Sequence, residues 1–215
     1  MESHTSFPIV LIRAFDTLPR LNNFLIGRFR LSRIEYFKTI EDMNRRDETE
    51  GVAQYKVRET VKRVHISQGN KETRTTEAND DMNVSSKLGN PIYIFCASLS
   101  SGQSEISKKY GRFIARIEDP SMFARDVRAH LRAKGYRIAG EVRGVTVQYS
   151  KSNLMPEKLS PAANAELSYS QKPEECKGDN EFRFVAILLD GPSDNFPEHI
   201  CIDLGKKVGY ISYRL

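Results

Sequence analysis

The run Ile92–Ser98 (IYIFCAS) carries no charge and no break in hydrophobicity before its last residue. A strand that is apolar on both of its alternating side-chain sets has no wet face, so it must lie inside a sheet covered on both sides. The rest of the chain must supply its neighbours. Phe7–Phe15 (FPIVLIRAF) is a second apolar run, broken only by Arg13, the pattern of a buried strand with one charge at its end or set within it for a purpose. Arg28–Arg33 alternates Phe29 and Leu31 with Arg28 and Arg30, and Arg112–Ile117 sets Phe113, Ala115 and Ile117 against Arg112, Ile114 and Arg116. Three further strands are expected over 182–189, 199–204 and 207–213.

Helices are fewer. Asp16 and Thr17 offer a cap, Leu18, Leu21, Phe24 and Leu25 recur at helical spacing and Gly27 follows as a stop, which predicts a helix over 17–26. Ile34, Phe37 and Ile40 also fall at helical spacing. The clearest helix begins at Asp119 as cap with Pro120 in its first turn, carries Phe123, Val127 and Leu131 as its apolar stripe, and ends at Gly135. Residues 136–149 read as two short strands around Gly140 and Gly144, and the Pro-rich 151–177 as a loop or a short helix flanked by loops. The β-branched residues of 52–67 suggest a hairpin with a wet face. The stretch that follows, about 68–88, lacks apolar anchors and is expected to be a mobile hydrophilic insertion in a single domain spanning 1–215. Strands outnumber helices, so the expected class is α+β, a single mixed, mainly antiparallel sheet with a few helices.

Several function classes drop out on composition. No run of a dozen apolar residues exists to form a spanning helix, and the N-terminus lacks the pattern of a secretory signal, so the expected location is cytoplasmic. Three cysteines, Cys96, Cys176 and Cys201, are an odd number; Cys96 and Cys201 sit in apolar runs and are expected to pack as small hydrophobes without a disulfide. Four scattered histidines and no Cys-x-x-Cys exclude a zinc-finger type of site, and no metal is expected as cofactor. Neither phosphate-cradling glycine motif is present, nor a Gly-x-Ser-x-Gly elbow.

The formal charge is +5, and its distribution is uneven. From Glu105 to Arg143 ten basic residues face five acids, a difference equal to the whole chain's surplus. Arg125, Arg128 and Arg132 share one face of the predicted helix. That face is either an ordinary solvated one or a nucleic-acid-binding surface, with Tyr136 or Tyr149 available for stacking.

Three constellations carry possible chemistry. Glu41, Asp42, Asp47, Glu48 and Glu50 interleave with Arg45 and Arg46 just before Gly51; they are either a salt-bridged surface segment or oxygen ligands for a divalent ion, as in a metal-dependent nuclease. Asp179-Asn180-Glu181 delivers carboxylates to the mouth of an apolar strand, where Glu181 either pairs with Arg183 or is held rigidly for catalysis. Ser98, Ser100 and Ser101 end the central strand, as caps or as donors to a ligand amide or ribose.

The segment GRFRLSRIEYFKTIEDMNRRDETEG, with IFCAS and the late KPEECKGDNEFRFV, resembles a group of bacterial and phage proteins that brings no established activity. A more distant likeness carries chemistry. Arg13 in the opening strand, Ser98 and Ser100 ending a mid-chain strand, and Asp179-x-Glu181 opening a late one follow the order found in ADP-ribosyltransferases of the Arg-Ser-Glu type. That resemblance implies an ADP-ribosyltransferase-like fold and NAD as cofactor in a bacterial or phage conflict factor. It implies that Arg13 binds the NAD diphosphate, Ser98 with Ser100 orients the nicotinamide ribose, Tyr36 stacks on the nicotinamide ring, and Glu181 stabilises an oxocarbenium-like transition state. Asp179 departs from the Glu or Gln usual at the outer position, which leaves the acceptor, nucleic acid or protein, open. The alternative is a non-enzymatic accessory protein that binds nucleic acid or a protein partner through the basic helix.

Overall fold

A computed structural model describes residues 10–38, 53–57, 64–68, 71–76, 82–86, 89–150, 169–192, 195–205 and 208–213, with the four segments between 53 and 86 described by their backbone. The opening apolar run forms β1 (Leu11–Phe15), followed by helix α1 (Leu18–Leu25), β2 (Arg28–Arg33) and a 3₁₀ turn over Ile34–Lys38. Four short strands follow, β3 (Ala53–Val57), β4 (Val64–Gln68), β5 (Lys71–Thr76) and β6 (Met82–Ser86). The uncharged run is β7 (Ile92–Leu99), then come α2 (Gln103–Tyr110), β8 (Phe113–Ile117) and α3 (Pro120–Ala133). The chain continues through β9 (Arg137–Ile138), β10 (Arg143–Thr146), β11 (Gln148–Ser150), β12 (Gln171–Pro173), a 3₁₀ turn over Glu174–Asp179, β13 (Glu181–Asp190), β14 (His199–Asp203) and β15 (Ile211–Tyr213). The architecture is mixed α+β, with a nine-stranded sheet whose pairings are all antiparallel and one small parallel pair, β11 with β12.

Hydrophobicity on both faces puts β7 at the centre. Its Tyr93, Phe95 and Ala97 point to the same side as Phe182, Phe184 and Ala186 of β13, where Leu21 and Phe24 of α1 and Phe123, Val127 and Leu131 of α3 close the main core. Phe123 lies 5.2 Å from Phe95 and 4.6 Å from Phe184 by ring centroids, tilted contacts that add to area burial. The opposite face carries Ile92, Ile94, Cys96 and Ser98 with Glu181, Arg183 and Val185, and is covered by α2 and by residues 169–179.

The sheet order is β10-β13-β7-β1-β8-β15, and β2 with β14 joins the same edge of β7 that β1 uses. β1 pairs β7 only at Leu11↔Leu99 and Ile12↔Ser98, while β2 pairs it at Ser32↔Ile94 and Arg33↔Tyr93. The edge of β7 is therefore split around Cys96. Leu99 N donates to Asn180 O at 2.9 Å, so the odd-numbered backbone groups of β7 turn toward β13 and the even-numbered ones toward β1 and β2. The Cys96 carbonyl thus faces the split, and Arg13 Nη1 donates to it. A guanidinium supplies the hydrogen bond that a missing strand would have made.

Local differences from the sequence reading have identifiable causes. The Asp119 cap holds as expected, its Oδ1 accepting from Met122 N at 2.9 Å, but Thr17 makes no side-chain cap bond and Asp16 pairs with Arg20 instead. The helical spacing after Ile34 yields only the 3₁₀ turn, and residues 39–50 lie outside the described residues. In the stretch expected as a loop, β5 pairs β4 in a hairpin and β6 pairs the distant β3. Lys-Glu-Thr-Arg-Thr-Thr offers no apolar alternation, yet its Thr residues suit a strand and the ladder is made by backbone. Cys201, expected in the core, is exposed, because Ile200 and Ile202 take the inward positions of β14. No disulfide joins Cys96, Cys176 or Cys201. No helix among the described residues is long and apolar enough to cross a membrane.

Candidate functional site

β13 enters the sheet through a tight turn. Asn180 takes the left-handed conformation (φ 42°), which Asn tolerates, and its N–H donates to Lys177 O at 3.2 Å. The turn leaves Asp179 and Glu181 pointing inward, 4% and 5% exposed. Two buried carboxylates demand partners, and each has them. Arg183, two residues on and on the same face, donates from Nε to Glu181 Oε1 at 2.7 Å and from Nη1 to Tyr169 O at 3.0 Å. Lys172 of β12 reaches Glu181 Oε2 at 2.8 Å. The Glu181 N–H donates to the Tyr149 hydroxyl at 2.8 Å. Lys109 of α2 donates to Asp179 Oδ1 at 2.7 Å, and Tyr110 hydrogen-bonds the same carboxylate.

Burial works to raise the Glu181 pKa, but the Arg183 and Lys172 cations outweigh it and hold the carboxyl well below the usual carboxylate range. Burial, reinforced by the negative charges of Asp179 and Glu181, pushes the Tyr110 phenol up, and burial likewise raises Tyr149. The Cys96 thiol is raised first by burial and then by Glu181. It stays protonated at neutral pH and is no nucleophile.

Cys96, Tyr110, Lys172, Asp179, Glu181 and Arg183 line a pocket of about 80 Å³ on the α2 side of the sheet. It has room for several waters or one small polar group, since a single water needs roughly 10–15 Å³ by the same kind of measure. Arg13, Ser98 and Glu181 all line it. They come from three adjacent strands, with Ile12, Ser98 and Glu181 in one register row. Sites on strands are held more rigidly than sites on loops.

The other expected residues lie elsewhere. Ser100 is exposed on the turn beyond β7. Tyr36 packs edge-on against His199, 4.5 Å between centroids, with the Arg30 guanidinium 5.6 Å from its ring; its neighbour Phe37 lines the pocket, as does Tyr110. Arg125, Arg128 and Arg132 ride on α3, which packs on the opposite face of the sheet. Arg125 and Arg132 are exposed, and Arg128 pairs with Glu141. The acidic run Glu41, Asp42, Asp47, Glu48 and Glu50 lies outside the described residues, among which no group of three metal-ligating side chains occurs.

Lys172, Lys109 and Tyr110 were not legible as partners of the buried carboxylates, and Tyr149, expected to be available for stacking on a nucleic acid, instead accepts from the Glu181 N–H. They sit in short polar segments whose pattern says nothing about tertiary neighbours. Comparison with protein-family models, with curated proteins and with solved structures finds no match.

Proposed function

We propose that this protein is an ADP-ribosyltransferase-like enzyme that uses NAD, with Arg13, Ser98 and Glu181 as its site. The observation that supports the reading is that these three residues, far apart in sequence, stand on three neighbouring strands around one pocket. In the reaction the bond between the ribose C1′ and the nicotinamide nitrogen breaks, and its electron pair leaves with nicotinamide. Positive charge develops on the ribose, where a fixed anion lowers the barrier. Glu181 is such an anion, buried and favoured in its ionised form by the Arg183 and Lys172 cations. The Ser98 hydroxyl orients the ribose, and the Arg13 guanidinium takes the diphosphate. An acceptor nucleophile then donates a lone pair to C1′ and releases its proton.

At about 80 Å³ the pocket admits the nicotinamide riboside end only if a wall moves. Lys172 is the wall that must yield. It comes from the short β12 and occupies the Glu181 oxygen that a ribose hydroxyl would use.

The test is calorimetric titration with NAD up to millimolar concentration, together with nicotinamide release, on wild type, Arg13→Ala, Ser98→Ala and Glu181→Gln. Expected are NAD binding in wild type, its loss in Arg13→Ala, weakening in Ser98→Ala, and a fall in nicotinamide release of about 100-fold or more in Glu181→Gln. Absence of NAD binding in wild type overturns the proposal, as does undiminished release in a folded Glu181→Gln. Ser98→Ala removes no charge and serves if Glu181→Gln does not fold.

A further inference from the structure

The Glu181 pocket makes no use of the arginines of α3, which packs on the other face of the sheet. Arg125, Arg128 and Arg132, at i, i+3 and i+7, stand in one line along that helix, while Phe123, Val127 and Leu131 turn into the core. The helical rise makes the line about 10.5 Å long. Negative charge is scarce beside it. Asp126, the helix's only carboxylate, accepts from the Tyr210 hydroxyl at 2.7 Å, and Glu141 pairs with Arg128. Arg125 reaches the Met122 sulfur, and neither Arg125, Arg132 nor Lys134 just past the helix end makes an ion pair among the described residues; all three are exposed. Arg132 and Lys134 suit the negative end of the helix dipole, but Arg125 lies in the N-terminal half, where the dipole gives a cation no support. Three positive charges are thus left exposed along the ridge and at its end.

We infer that this ridge docks on the phosphate backbone of a nucleic acid, without reading its sequence. A small anion would meet one guanidinium at a time, since the line outspans it. One strand of a duplex carries a phosphate per about 3.4 Å of axis, so about three fall within that length, and the guanidinium fork matches phosphate oxygens. Arg128 joins them by parting from the exposed Glu141, which costs little because surface ion pairs are weak. An anionic membrane fits less well. A helix lying on a bilayer inserts an apolar face, and that of α3 is already buried in the core; the large exposed apolar side chains among the described residues, Leu18, Ile26 and Leu189, lie elsewhere. Tyr149 accepts from the Glu181 N–H and Tyr136 packs against the main core, so neither is offered to a base and the contact is with phosphates. The ridge and the pocket share no residue, so the inference stands apart from the transferase reading.

The test is fluorescence anisotropy of labelled DNA duplexes of two unrelated sequences, titrated with the full chain over a range of salt, alongside sedimentation with vesicles of equal parts anionic and neutral phospholipid. Arg125→Gln/Arg132→Gln takes two charges from the ridge, and Lys108→Gln/Arg112→Gln takes two exposed charges from α2 and the turn after it, leaving the same net charge. All four positions are exposed, so thermal melting should show both variants folded. Wild type is expected to bind both duplexes alike, with a slope of log affinity on log salt of about −3 for three phosphates neutralised. The ridge variant should bind at least about tenfold more weakly with a slope about two units shallower, and the other variant within about twofold of wild type. No duplex binding at about 0.1 mM chain in low salt, the weak limit of non-specific association, overturns the inference. Equal weakening in the two variants also overturns it, since net charge and not the ridge would then be responsible. Vesicle binding that the ridge variant loses, with duplex binding unchanged, overturns the nucleic acid as partner.

Discussion

Replacing Arg183 with methionine is the sharpest probe of how the buried charges are held. Its side chain is 1% exposed, with Nε at 2.7 Å from Glu181 Oε1 and Nη1 at 3.0 Å from Tyr169 O. Methionine keeps an apolar stem of similar length and deletes the cation. The Glu181 carboxylate is then left in the sheet with Lys172 alone, and the Tyr169 carbonyl loses that donor. Removing one partner of a buried pair costs about 3–5 kcal/mol; because Lys172 remains at 2.8 Å, the lower end, about 3 kcal/mol, is expected. For a chain of this size each kcal/mol moves the melting temperature by about 2–4 °C, so the midpoint should fall by about 6–12 °C.

The same reasoning orders the other substitutions. Lys172→Met leaves a charge-balanced Glu181–Arg183 pair and should cost only about 1.5 kcal/mol, the usual worth of a charged hydrogen bond. Glu181→Leu combined with Arg183→Met removes that pair and leaves Lys172, at 11% exposure the most accessible of the three charges, so it should cost less than the sum of the two singles, a coupling of at least about 1 kcal/mol. Urea midpoints at unchanged slope, with calorimetric melting as a second probe, measure these three variants and the Glu181→Leu single that completes the cycle. A cost for Arg183→Met below about 1 kcal/mol, or a double variant as unstable as the sum of the singles, would refute the reasoning, since the guanidinium would then not be what compensates the carboxylate.

Asp119→Ala removes the acceptor of the Met122 N–H at the start of α3 and should cost about 1 kcal/mol, read as a fall in melting temperature of about 2–4 °C. Gly111→Ala should be far worse: Gly111 has φ +126°, and an added Cβ would run into the Phe15 carbonyl, so a loss of about 3 kcal/mol or more in the urea midpoint is expected. His130 and His199 are both depressed below 6.5, by burial first and then by Lys134 and Arg30 respectively, with Glu198 opposing at His199. The unfolded chain therefore binds protons more readily, and stability should be complete above pH 6.5 and decline as pH falls below it. A second decline should set in below the unfolded carboxylate value of 4.5, as Glu181 is forced to protonate. Urea midpoints across pH test this, and His130→Asn/His199→Asn should flatten the first decline alone.

How much of this could be read from the sequence depended on whether the signal was local. β7 and β13 announce themselves because apolar residues on both side-chain sets leave no solvent face. α3 does so because its cap, first-turn proline and i, i+4 stripe lie within one segment. α2 gave no such signal: Gln-Ser-Glu-Ile-Ser-Lys-Lys-Tyr offers Ile106 and Tyr110 as its apolar anchors, and it gains its helix by packing them against Ile12, Ile114 and Ala14. Pairing of β3 with β6 closes a long loop, which composition does not encode. At the site, Glu181 with Arg183 was legible because an i, i+2 pair on a strand shares a face. Lys172 was not, since only the tertiary arrangement brings the 169–179 segment over that face.

The pocket beside Glu181 and a cleft of about 680 Å³ at the split edge of β7 have one common origin. Because β1 and β2 both use the same edge of β7 and meet it at opposite ends, the middle of that edge has no strand beside it. A buried backbone carbonyl there would cost about 1–3 kcal/mol if left without a donor. Arg13, one residue past the last β1–β7 pair, donates to that carbonyl and lines both the pocket and the cleft. Replacing it uncaps Cys96 and alters both cavities at once. Arg13→Ala alone therefore cannot separate the loss of a dinucleotide site near Glu181 from the loss of the cap itself. Ser98→Ala and Glu181→Gln leave that cap in place, so they are the variants that report on the pocket alone.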